Sequence, residues 1–84
     1  MEEFNRLWAS VVALHSALGM KGSVMLEDNR VCIGGPHDYF VMMSGNSPSD
    51  ALLMYHVHLT ALKNDRILRI QEEAQEQIDK LNKL

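Results

Sequence analysis

The chain has 84 residues, 46% of them hydrophobic and 23% charged, which are ordinary values for one small globular domain. Its net charge of -3 at pH 7 argues against non-specific nucleic-acid binding, which requires clustered lysine and arginine. The single cysteine, Cys32, rules out an internal disulfide and suits a reducing compartment, and no apolar run is long enough to cross a bilayer. We therefore expect a cytoplasmic protein.

The first predicted element is an amphipathic helix over residues 2–18. Its apolar side chains recur at spacings of three and four, so they share one face, and Gly19 is a natural stop. His15 falls within this apolar face. We expect His15 to be a core histidine that is hydrogen-bonded to a backbone or side-chain group.

A β-hairpin is predicted next, with strands over residues 24–27 and 30–33. The two residues between them, Asp28-Asn29, tolerate the positive φ angles of a tight turn. In this register Glu27 lies across from Arg30, which is a favourable opposite-charge pair. The turn chemistry and the strand pattern therefore predict the same pairing.

A glycine-rich connection leads to a third strand over residues 39–43, and this connection is the best candidate for a ligand site. Paired glycines expose backbone N–H groups, and a histidine beside an aspartate offers a titrating donor next to an acceptor. A plain turn is the alternative. The candidate ligand-binding residues are those of the loop and two arginines of the last helix: Gly34, Gly35, His37, Asp38, Arg66 and Arg69.

The last predicted element is a long helix over residues 48–84. Ser47 is a favoured N-cap, Pro48 suits the first helical position, and no glycine or proline follows. At roughly 1.5 Å per residue the helix would be about 50 Å long, so its own chain cannot bury all of it. Apolar residues surround the axis over residues 51–62, which predicts burial on all sides there.

The distal half of this helix carries a narrow apolar stripe, which we call the seam. At 100° per residue its members lie within about 80° of one another. Their spacing of three, four, four and three predicts nearly straight helix packing. His56 lies in line with the stripe, so copies packed on it would bring their histidines together. The predicted oligomer interface is therefore His56 with the seam itself: Ile67, Ile70, Ala74, Ile78 and Leu81.

Three alternatives to this long exposed helix stay open at the level of sequence. The first helix of the same chain can cover the seam. Residues 63–65 can form a turn that folds the helix back into a hairpin. Residues 55–61 alternate between apolar and polar types, which also fits a strand.

Neither catalysis nor metal binding is expected. His56 and His58 are two residues apart, about 200° around a helix, and no metal-ligand spacing is present. Cys32 lies within a predicted strand, where it is a small apolar residue rather than an activated thiolate. We therefore predict no enzyme activity, no metal and no cofactor.

The α-β-β-β-α order resembles, in topology alone, that of small double-stranded-RNA-binding domains. Those domains depend on basic residues at the start of the last helix. This chain has Ser47-Pro48-Ser49-Asp50 there, so the resemblance implies a fold and no RNA-binding role.

Together these patterns predict one α+β domain over residues 1–84. The leading hypothesis is a small non-catalytic homo-oligomer that occludes or bridges a partner protein, as an accessory or inhibitor protein of a virus or mobile element would. Arginine and aromatic residues dominate interfaces, so the candidate partner contacts are Tyr39, Phe40, Arg66 and Arg69. The alternative is an oligomer that sequesters a small anionic, nucleotide-like ligand. Neither hypothesis involves nucleic acid or a membrane.

Overall fold

A computed structural model describes residues 2–35 and 39–84, with only the backbone of Tyr39. The α-β-β-β-α order and the α+β class are confirmed. The elements in chain order are α1 (Glu2–Ala17), β1 (Ser23–Glu27), β2 (Arg30–Gly34), β3 (Tyr39–Ser44) and α2 (Pro48–Asn82).

The three strands form one antiparallel sheet in the order β1-β2-β3, so β2 is central. The hairpin register is the predicted one: Glu27 pairs with Arg30, and their side chains form an ion pair at 3.6 Å. Asp28 has φ 53°, the left-handed conformation that a two-residue turn requires. Local turn chemistry thus sets the pairing of the first two strands.

Both helices pack on one face of the sheet, where the central strand supplies Val31 and Ile33 to the core. Helix α2 contributes the larger side chains, including Leu52, Tyr55 and Leu59, all of them fully buried. The core ends at Leu59. From residue 61 onward every residue of α2 is exposed, so the buried packing of α2 against α1 and the sheet is confined to its first 13 residues, 48–60.

Helix α2 starts and continues as the sequence predicts. The Ser47 side chain accepts a hydrogen bond from the Asp50 N–H at 3.1 Å, which makes Ser47 the N-cap. The helix then runs for 35 residues without a break, so the turn at residues 63–65 and the strand at residues 55–61 are both ruled out.

The molecule measures 58 × 31 × 18 Å because α2 extends beyond the other elements. We call α1, the sheet and α2 up to Thr60 the head, and residues 61–84 the stalk.

The prediction that residues 51–62 are buried on all sides is wrong. Leu53, Met54 and Val57 are about half exposed, at 52%, 47% and 62%. The head has one helix and one three-stranded sheet with which to cover α2, and these cover two of its sides. The third side, which includes these three residues, stays open to solvent.

His15 is a core histidine, as predicted. Its side chain is 5% exposed, its Nε2 lies 3.0 Å from the Gly22 carbonyl oxygen and its Nδ1 lies 3.0 Å from the Tyr55 hydroxyl. Because Gly22 offers only an acceptor here, Nε2 donates, and Tyr55 donates to Nδ1 when the ring is neutral. The pair ties α1, α2 and the loop before β1 together.

Candidate interaction surface

The seam lies on the exposed stalk, and neither α1 nor the described part of the sheet covers it. Ile70 and Leu81 are 65% and 69% exposed, Ile67 and Ile78 are 46% and 49% exposed, and Ala74 is exposed as well. An apolar stripe at helix-packing spacing is costly to leave in water. Because all five seam residues are exposed, the alternative in which α1 covers the seam is wrong.

The seam begins where α1 ends. At about 100° per residue, His56 projects from α2 within about 40° of every seam residue. Its Nε2 lies 3.1 Å from the Ser10 hydroxyl, so α1 covers this side of α2 in the head. Further along, Arg66 reaches the Leu18 carbonyl just past the last residue of α1. The seam is thus the continuation of the side that α1 covers, left open beyond the end of α1.

His56 is half-buried and already bonded within its own chain. A contact between His56 residues of two copies would require the Ser10 bond, and α1 itself, to give way. The monomer therefore offers the seam for association much more readily than it offers His56.

The candidate ligand and partner contacts Arg66 and Arg69 both have partners inside the chain. Arg66 donates from Nη1 to the Leu18 carbonyl at 2.8 Å, and Arg69 pairs with Asp65 at 3.1 Å, one helical turn away. The Arg66 contact fixes the end of α1 against α2. The Arg69 pair is largely in solvent and contributes only about 0.2–0.5 kcal/mol.

Of the candidate ligand loop, Gly34 and Gly35 are described, whereas His37 and Asp38 lie outside the described residues. Gly34 ends β2, and its carbonyl lies close beside Gly22, the residue whose own carbonyl binds His15. Gly34 and Arg66 therefore both lie near the C-terminal end of α1. Gly34 pairs with Ser23 in the sheet, and Arg66 binds the Leu18 carbonyl. Gly35 is exposed, with open space around it.

The candidate partner contacts on the sheet lie on β3, one of its two edge strands. Phe40 is paired with Ile33 on the outer strand of the sheet and is 59% exposed. Tyr39 pairs through its backbone with Gly34, and its side chain is not described. An exposed phenylalanine at a sheet edge is available to a partner.

A further apolar surface was missed at the level of sequence. Met43 of β3 and the exposed residues of α2 line a shallow apolar depression in the head, which we call the head patch: Met43, Leu53, Met54 and Val57. The sequence contained no direct signal for it, because a helix that is apolar on all sides looks the same whether or not the fold has enough elements to surround it.

The stalk has no net charge. Residues 61–84 carry five basic and five acidic side chains. The two residues that border the middle of the seam, Gln71 and Gln77, are neutral amides. A second helix placed on the seam would thus not desolvate a charge along its central turns.

Among the described residues, no group of three histidine, cysteine, aspartate or glutamate side chains is placed to hold a metal ion. In the same part of the chain, no helix is long and apolar enough to cross a membrane. Comparison with protein-family models, with curated proteins and with solved structures found no match.

Proposed function

We propose that this chain is a non-catalytic, homo-oligomeric interaction protein whose copies associate through the seam and present their heads to a partner protein. The observation that carries the proposal is the exposure of four large apolar side chains in one stripe of a continuous helix. A stalk of this kind costs free energy in water unless another helix covers it. The stalk therefore serves association rather than the stability of the head.

A second copy suits the seam better than a lipid surface does. A helix that lies on a membrane has a broad apolar face and a polar face rich in lysine and arginine. Here the seam is narrow and the polar face carries equal numbers of basic and acidic residues. The neutral borders at Gln71 and Gln77 also allow hydrogen bonds across a helix pair.

The partner protein would meet the heads, where apolar groups remain exposed after the seam is covered. The head patch and Phe40 supply these groups. A cytoplasmic location belongs to the proposal and is supported by the free, buried thiol of Cys32, which needs no oxidising compartment.

Sedimentation over a range of concentrations tests self-association. Ile70→Glu places a charge in the seam and should reduce the protein to its 9.5 kDa monomer. Leu68→Glu is the matched control, because Leu68 is 53% exposed on the same turn but projects about 160° away from Ile70. It should associate as the wild type does. Both positions are exposed, so circular dichroism should show both variants folded.

A wild-type chain that stays monomeric at every concentration would refute the proposal. Equal loss of association in the two variants would show that the contact does not use the seam.

A further inference from the structure

We infer that the seam forms a two-fold, antiparallel helix pair with its axis at Ala74, so that the two heads lie at opposite ends of the dimer. The inference rests on the proposed self-association and specifies its geometry. It is carried by the symmetry of the seam and by the position of α1.

The seam reads the same in both directions about Ala74, since its spacings are three, four, four and three. In an antiparallel pair centred there, Ile67 opposes the partner's Leu81 and Ile70 opposes the partner's Ile78. Ala74 opposes its own copy, where a small side chain allows close approach of the two helices. Every seam residue thus contacts another seam residue, which is what a two-fold interface requires.

A parallel pair is blocked by α1. In the head, α1 covers the same side of α2 that carries the seam in the stalk, as the Ser10–His56 contact shows. A parallel partner would bring both copies of α1 between the two α2 helices. Packed helices lie about 8–10 Å apart, and a helix is itself about 10 Å wide, so the α1 helices would hold the seams apart. Lys63, which also projects along the seam, would in addition face its own copy.

The antiparallel pair avoids these conflicts. In the register centred on Ala74, Asn82, the last residue of α2, lies level with Arg66 of the other chain. Arg66 marks the end of α1, because it binds the Leu18 carbonyl. The paired segment, residues 66–82, therefore lies beyond the end of α1 in both chains. His56 and Lys63 lie outside the paired segment, so association should not change between pH 5 and pH 8.

The antiparallel geometry favours a dimer that bridges two partner sites over one that occludes a single site. The last buried core residue, Leu59, is 15 positions from Ala74, so the two copies of Leu59 would be roughly 45 Å apart along the dimer. Each head would keep its head patch and Phe40 exposed at its own end. A dimer of this kind offers two equivalent sites that face separate partner molecules, or two sites on one partner, and the second contact gains from effective concentration.

Cysteine crosslinking tests the geometry separately from association. Ala74→Cys should crosslink to itself with a short bis-maleimide in either orientation, so it reports association alone. Ile70→Cys mixed with a size-tagged Ile78→Cys chain should give the mixed product. Ile70→Cys by itself should give none, because its two copies would be offset by about 12 Å along the axis. The wild type, with Cys32 buried, is the background control.

Crosslinking of Ile70→Cys to itself, with loss of the mixed product, would overturn the antiparallel pair while leaving self-association in place. Failure of Ala74→Cys to crosslink, together with a monomeric sedimentation profile, would instead overturn the proposed function itself. X-ray scattering of the unmodified dimer provides a second test, since two separated heads give a distance distribution with a second maximum and a parallel pair does not.

Discussion

At the scale of single residues, His15 and Tyr55 show how a polar pair is accommodated in a small core. Both side chains are buried, and each polar atom has a partner. Burial without these bonds would cost each group about 1–3 kcal/mol. The sequence predicted that His15 would be bonded in the core. It did not identify Tyr55 as the partner, because residues 40 positions apart are brought together only by the crossing of the two helices.

Tyr55 also gives the fold a dependence on alkaline pH. Burial raises the pKa of the Tyr55 hydroxyl above its usual value of 10.0. Below pH 10 the phenol keeps its proton in both the folded and the unfolded state, so Tyr55 does not change the free energy of unfolding with pH there. Above pH 10 the unfolded chain loses the proton first, and the free energy of unfolding falls as pH rises. The wild type should therefore lose stability steeply above pH 10.

Tyr55→Phe tests this directly. At neutral pH it should lower the free energy of unfolding by about 1 kcal/mol, because the hydrogen bond to His15 is lost. Above pH 10 its urea midpoint should fall less steeply than that of the wild type. The two proteins share every other titratable group, so the difference between their pH profiles reports Tyr55 alone. Parallel pH profiles for the two proteins would contradict a buried hydroxyl at Tyr55.

At the scale of elements, local sequence signals were accurate wherever a few neighbouring residues decide the structure. The Asp28-Asn29 turn set the hairpin register, and Ser47 followed by Pro48 set the start of α2. Neighbouring residues do not decide what lies on each side of a helix. The open side of α2 at Leu53 depends on how many elements the whole fold supplies, which no local pattern encodes.

The same limit applies to the candidate site residues. Exposed arginines were predicted as partner contacts on the general preference of interfaces for arginine. Arg66 instead binds the Leu18 carbonyl, just past the last residue of α1 and 48 positions earlier in the chain. The seam was predictable because its spacing is a property of one helix. Whether α1 covers the seam depends on the length and direction of α1, which the pattern of α2 does not encode.

The two arginines therefore have different expected effects on stability. Arg66→Ala removes a hydrogen bond from a cation to an orphan carbonyl at the end of α1 and should cost about 1 kcal/mol. Arg69→Ala is the matched control, because it removes only an exposed pair with Asp65 and should cost about 0.2–0.5 kcal/mol. Urea unfolding at neutral pH measures both. Equal costs would mean that Arg66 does not hold the two helices together.

At the scale of the whole molecule, the head and the stalk have separate tasks. All of the buried side chains lie before residue 60, while all of the seam lies beyond residue 66. A domain in which the last 24 residues contribute no buried side chain does not need them to form its core. Folding and association should therefore respond to different parts of the chain.

Truncation after Arg69 separates the two tasks. The shortened chain keeps the core, the Arg66 contact and the Asp65–Arg69 pair, and it loses four of the five seam residues, from Ile70 onward. It should stay folded and monomeric. Its melting temperature should not depend on protein concentration, whereas that of the full chain should rise with concentration, because association stabilises the folded state by mass action.

Dilution distinguishes a stalk that serves association from a stalk that stabilises the head of its own chain. When the full chain is diluted until it sediments as a monomer, its melting temperature should approach that of the truncated chain, since an isolated stalk adds only its own marginal helix stability. A truncated chain that is much less stable than the diluted full chain would mean that the stalk supports the head within one copy. The seam would then have a folding role, and the exposure of Ile70 and Leu81 would need another explanation.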